Sequence, residues 1–112
     1  MNKFEKVSYK QFKEGYYKCF LNCESEGLEE YLDKIYSAIK LPVRATKDSA
    51  GYDFFTPVSF RLEPGSSIMI PTGIRVRINE GWFLGLFPKS GLGAKYRLQL
   101  DNTTGIVDGK VI

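Results

Sequence analysis

Three glycine-punctuated stretches hold the side chains best suited to chemistry. In the first, Arg44-Ala45-Thr46-Lys47-Asp48-Ser49-Ala50-Gly51-Tyr52-Asp53, Gly51 removes a side chain close to an acidic residue at the start of a strand. Asp53 is then either part of a structural turn or a carboxylate held near a metal's water shell. In the second, Phe87-Pro88-Lys89-Ser90-Gly91-Leu92-Gly93-Ala94-Lys95, Pro88 ends a strand and Gly91 and Gly93 free backbone amides. Ser90 adds a hydroxyl, and Lys89 and Lys95 add two cations. The stretch is a phosphate cradle or an ordinary surface turn; it lacks the spacing of a Walker A loop. In the third, Leu100-Asp101-Asn102-Thr103-Thr104-Gly105-Ile106-Val107-Asp108-Gly109, Asp108 follows an apolar pair. It either caps a turn or sits partly desolvated, where a carboxylate can orient and activate water. The Asn102 amide has the donors and acceptor needed to read the edge of a polar base.

The rest of the composition narrows the chemistry. The 112 residues contain no histidine, which removes Ser-His-Asp and Cys-His nucleophiles, HExxH zinc sites and any imidazole base. Proton transfer therefore falls to a carboxylate or a rarer group. Cys19 and Cys23 are too few for a structural zinc and read as free, reduced thiols. The net charge of +3 tolerates an anionic ligand without demanding nucleic acid. No apolar run approaches the ~20 residues of a membrane span, and Met1-Asn2-Lys3-Phe4-Glu5-Lys6 is charged where a signal peptide turns apolar. A cytoplasmic globular chain with no membrane partner is expected.

These residues must be positioned by two kinds of element. Ser8 and Gln11 form a capping box ahead of Phe12, Tyr16 and Phe20, predicting a helix over 8–20. Leu28, Tyr31, Leu32, Ile35, Tyr36 and Ile39 follow helical spacing, with Glu26, Glu29 and Glu30 at the start and Lys40 at the end. Leu41-Pro42 stops that helix. Beyond it the period becomes two: Val58, Phe60 and Leu62 alternate, Glu63-Pro64-Gly65 turns, and 67–70 returns. Ile74, Val76 and Ile78 alternate next, Asn79-Glu80-Gly81 turns, and 82–87 is an apolar strand. The expected division is a helical N-terminal extension over 1–41 and a β domain over 42–112. About seven short strands are few for a closed β core, so exposed edges and oligomerisation are expected.

Taken in order, Ala50-Gly51-Tyr52-Asp53, then Pro88-Lys89-Ser90-Gly91-Leu92-Gly93-Ala94-Lys95, then Asn102 with Gly105-Ile106-Val107-Asp108, closely resemble the first three of five motifs in trimeric dUTP pyrophosphatases of bacterial or phage type. The resemblance spans about residues 41 to 109. It implies a mainly β jelly roll, a homotrimer whose sites draw on several subunits, and Mg²⁺-dependent hydrolysis of dUTP to dUMP and pyrophosphate. By position it implies that Asp108 holds the attacking water. Lys89, Ser90 and Gly91 would bind phosphate, Asn102 and Gly105 would belong to the uracil hairpin, and Asp53 would approach the metal through water.

Three departures qualify the likeness. Lys89 stands where the family has arginine, replacing a bidentate contact by a point charge. After Asp108 the family continues with a short residue, a second aspartate and a sugar-packing tyrosine, whereas Gly109 here precedes Lys110-Val111-Ile112. The fourth and fifth motifs are not found. The expectation is a family member lacking roughly its last third, with poor or no turnover alone. The alternative class is a non-catalytic dUTPase-like regulatory or binding protein. A dCTP deaminase and a single-stranded nucleic-acid binder fit less well, because Ser90-Gly91 replaces the deaminase Ser-Ser pair and the aromatics alternate like a core.

Overall fold

A computed structural model describes residues 2–20 and 26–100, and the backbone of 105–107. In chain order the elements are β1 (Lys3–Lys6), α1 (Tyr9–Cys19), α2 (Leu28–Ser37), β2 (Ile74–Arg77), β3 (Leu84–Leu86), α3 (Ser90–Tyr96) and β4 (Gly105–Val107).

Both expected leader helices form, for the expected reasons. Ser8 is extended, and its Oγ accepts from the Gln11 amide at 3.2 Å, satisfying a first-turn donor of α1. In α2, Glu29 and Glu30 lie in the first turn, where negative charge suits the helix dipole. That helix ends at Ser37, two residues before the expected Ile39, whose amide closes a tighter turn onto the Tyr36 carbonyl at 3.2 Å. The apolar faces meet in a cluster of Val7, Phe12, Leu28 and Leu32, flanked by Tyr9, Tyr16, Tyr17, Ile35, Tyr36 and Ile39. Tyr36 ties it together: its hydroxyl donates to the Val7 carbonyl at 2.6 Å, and its ring lies 5.4 Å from Tyr9 and 5.7 Å from Phe12.

Strand β1 has no counterpart in the sequence expectation. It pairs antiparallel with β2 in the register Lys3↔Arg77, Phe4↔Val76, Glu5↔Arg75, Lys6↔Ile74. Alternation then sorts its side chains. Lys3 and Glu5 join Arg75 and Arg77 on the exposed face, where Glu5 Oε2 receives the Arg75 guanidinium at 2.9 Å. Phe4 and Lys6 lie opposite buried Val76 and Ile74, and the Lys6 ammonium is accommodated 4.3 Å from the Tyr36 ring. The chain enters α1 through Val7, whose amide donates to the Gly73 carbonyl at 2.9 Å. Gly73 itself has φ +73°, and a Cβ there would lie 2.5 Å from Ile39 Cδ1. Leader and β segment are therefore joined both by a strand ladder and by side-chain packing.

Of the expected β elements, the strand beginning at Ile74 forms as β2 and the centre of 82–87 forms as β3, which pairs with β4 as Leu84↔Val107, Gly85↔Ile106 and Leu86↔Gly105. Both turns also form. The Ser66 amide donates to Glu63 at 3.0 Å with Gly65 at φ +79°, and the Trp82 amide donates to Asn79 at 3.0 Å with Gly81 at φ +85°. The segments 58–62 and 67–70 carry no ladder. Within one chain their alternation has little to pack on: Val58 is buried, while Phe60, Ile68 and Met69 are exposed. The described residues hold two separate two-stranded sheets, β1-β2 and β3-β4, and neither closes. No described helix is long and apolar enough to cross a membrane.

Candidate functional site

Asp53 is held by backbone. Its amide donates to the Val43 carbonyl at 2.7 Å and its carbonyl accepts from the Val43 amide at 3.2 Å, an isolated antiparallel bridge. The loop between them is braced from inside. Arg44 Nε donates to the Ser49 carbonyl at 2.9 Å, the Thr46 amide donates to Ser49 Oγ at 3.0 Å, and the Ser49 amide donates to Thr46 at 3.1 Å. Such a tightly closed loop fits a structural turn, and it also fixes the residue at its end.

The side chain of Asp53 meets Lys89, with Nζ to Oδ2 at 2.9 Å. The two residues are 36 positions apart, so the first and second motifs of the sequence converge in space. The carboxylate is one-third exposed and the ammonium nearly two-thirds, so the pair is solvated. Pairs of this kind contribute about 0–1 kcal/mol and exchange partners readily.

The second motif differs in detail from a loop of free amides. Residues Ser90–Tyr96 form α3, although glycines at 91 and 93 disfavour helix. Lys89 is its extended N-cap residue, and the Lys89 carbonyl accepts from the amides of Leu92 at 3.0 Å and Gly93 at 2.9 Å. The Gly93 amide, expected to be free for a ligand, is therefore engaged within the helix. Ser90 and Gly91 are exposed at its start, beside Lys89. Lys95 lies in the last turn, 5.4 Å from the Tyr96 ring.

In the third motif, Gly105 lies in β4 opposite Leu86. Asn102 and Asp108 lie outside the described residues, as does Cys23. Among the described residues no group of three or more histidine, cysteine, aspartate or glutamate side chains gathers to hold a metal. A lone carboxylate such as Asp53 suits a water-mediated contact to a cation carried by a ligand, and does not make a protein cage. A cleft of about 200 Å³ lined by Ala38, Ile39, Lys40, Phe55, Thr56 and Pro57 touches none of the motif residues.

The sequence reading missed Phe4, which packs on both neighbours of Asp53: its ring centroid lies 5.4 Å from Tyr52 and 5.5 Å from Phe54. The available signal was the pair of aromatic residues, Tyr52 and Phe54, that flank Asp53.

A chain in which a carboxylate on an isolated bridge meets the lysine that caps a short helix, beside an exposed serine, defines only a broad class with a charged, solvated site. Comparison with known proteins makes the class specific. The dUTPase family model matches residues 37–112, and the chain belongs to the dUTPase family. It is 36% identical over 81 residues to the deoxyuridine 5'-triphosphate nucleotidohydrolase of Dictyoglomus turgidum, covering 69% of this chain and 55% of that protein. To the proteins of the same name from Streptomyces coelicolor and Bordetella pertussis the identities are 35% over 82 residues and 38% over 71. Those matches cover 73% and 61% of this chain, and 45% and 48% of the relatives. The chain thus spans about half the length of the curated relatives it matches. No solved structure matched it.

Proposed function

We propose that this chain carries the phosphate-facing part of a dUTP diphosphatase, which hydrolyses dUTP to dUMP and pyrophosphate with Mg²⁺ and so serves nucleotide metabolism in the cytoplasm. The observation that carries the reading is the Asp53–Lys89 contact at 2.9 Å, which brings a carboxylate and a cation from two motifs to one place beside Ser90. The named relatives are the second support.

In this reading Lys89 and the Ser90 hydroxyl bind phosphate oxygens, with Gly91 letting the ligand approach the backbone. Asp53 faces the waters of the Mg²⁺ that accompanies the triphosphate. When bound, that ion neutralises charge developing on the phosphates. Asp108 accepts a proton from the attacking water, a role that a positioned carboxylate can fill. Asn102 and Gly105 contribute to uracil recognition. The remaining scaffold is a jelly roll, with 1–41 as a helical extension and 42–112 as the β domain. The assembly is a homotrimer, in which the exposed Trp82, Phe83 and Phe87 gain the facing surface that a single chain lacks.

The test is pyrophosphate release from dUTP, paired with binding of a non-hydrolysable dUTP analogue. The 112-residue chain binds the Mg²⁺ complex of the analogue, and in any form with turnover Asp108→Asn abolishes release while leaving binding within about threefold. Full activity of Asp108→Asn removes that residue from the mechanism, and failure to bind any deoxyuridine phosphate removes the reading itself. A non-catalytic dUTPase-like binding protein would bind the analogue and release no pyrophosphate in every form tested.

A further inference from the structure

We infer that Phe4, in the leader strand and outside the family-matched segment, is a positioning residue for Asp53. Residues 51–55 belong to no ladder beyond the single Val43–Asp53 bridge, so their orientation rests on the braced loop, on Arg44 at 5.9 Å from the Tyr52 ring, and on ring packing. Phe4 supplies that ring packing. Its ring contacts Tyr52 at 5.4 Å in a tilted arrangement and Phe54 at 5.5 Å edge-on. Because Tyr52 and Phe54 flank Asp53 in the chain, gripping both aromatic rings fixes the backbone from which the carboxylate between them departs. The grip is itself anchored. Phe4 sits opposite buried Val76 in the β1–β2 ladder, and the adjacent Glu5–Arg75 pair fastens the same register from the exposed face. Strand β1 therefore sets the direction in which Asp53 meets Lys89. The geometric part of this inference stands by itself; its consequence for nucleotide binding rests on the function proposed above.

The experiment uses the full 112-residue chain and the side-chain carboxyl ¹³C resonance of Asp53. Lys89→Met shifts that resonance by removing the cation at 2.9 Å. In a Phe4→Leu background the shift caused by Lys89→Met falls at least threefold, whereas in a Val7→Ala background it is retained. Val7 is a buried residue of the same leader, so its variant controls for general loosening. Phe4→Tyr, which keeps the ring, restores the full shift, and Phe4→Met serves in place of Phe4→Leu if that variant does not fold. An undiminished shift in the variants lacking the ring overturns the inference, as does equal loss in Val7→Ala. Titration with the Mg²⁺ complex of a non-hydrolysable dUTP analogue separates this from the functional reading. Phe4→Leu weakens binding by about two- to fivefold, the range expected from one misdirected solvated ion pair. Absence of nucleotide binding with the ¹³C pattern intact removes the function and leaves the positioning role in place; normal binding with an undiminished shift does the reverse.

Discussion

Leu32→Ala tests how far the leader and the β segment form one folding unit. Leu32 is fully buried between Val7, Phe12 and Leu28. Truncation removes three carbons, a transfer loss of about 2.4 kcal/mol at about 0.8 kcal/mol each. The aromatic residues around the cluster collapse only partly into the gap, and the residual cavity raises the cost to about 3–4 kcal/mol. A chain of this length is expected to have about 6–17 kcal/mol in total, so the loss is large, and the thermal midpoint should fall by about 13–17 °C. Two probes follow the transition. Far-ultraviolet circular dichroism reports α1 and α2, while fluorescence reports Trp82, the single tryptophan, which lies beyond β2. Because β1 is hydrogen-bonded to β2 and Gly73 packs against Ile39, both probes should fall together. A helical transition that drops while the Trp82 transition stays in place would show two independent units and refute the shared core.

Other perturbations address the joints and the site. Gly73→Ala forces a side chain into left-handed backbone and against Ile39 Cδ1, and should destabilise by about 1–3 kcal/mol in a denaturant titration; an unchanged midpoint would contradict the placement. The hydrogen bond from Arg75, aided by Lys3 and opposed by partial desolvation, holds the Glu5 carboxyl below the usual glutamate range. Its contribution is therefore present above the unfolded-state value and lost as pH falls through the lowered folded value. Glu5→Gln should lower the thermal midpoint at pH 7 and match the wild type near pH 2; a gap that persists in acid would rule out the ion pair as its cause. For Lys89, Lys89→Arg should keep or improve binding of the dUTP analogue, because a guanidinium meets phosphate in bidentate fashion, whereas Lys89→Met should weaken it about tenfold or more. Calorimetry showing equal affinities would remove Lys89 from the phosphate site.

Local signals in the sequence located the two leader helices and two turns, and missed α3. The Ser8–Gln11 box and the spacing from Leu28 to Ile39 placed α1 and α2, and Gly65 and Gly81 marked turns that do form. Helix caps and turn glycines act over three or four residues, so their consequences are legible in the chain itself. The motif order was legible too, and it led to the family that the comparisons confirm. The strand reading of 58–62 and 67–70 did not carry over, because alternation states which residues seek burial and leaves open what will bury them. Helix α3 forms across two glycines, with Lys89 as its extended cap residue and the Lys89 carbonyl taking up the Leu92 and Gly93 amides.

What the amino-acid order determined alone was the inventory: carboxylates in place of histidine, a Lys-Ser-Gly run, two amphipathic helices and a family. Tertiary structure alone decided the adjacencies. Glu5 and Arg75 are 70 residues apart and Asp53 and Lys89 are 36 apart, and no local propensity encodes either meeting. The first arises because a strand satisfies its backbone hydrogen bonds wherever a complementary edge and an apolar face coincide. That requirement put the first strand of the chain beside β2, and Phe4 beneath the aromatic neighbours of Asp53.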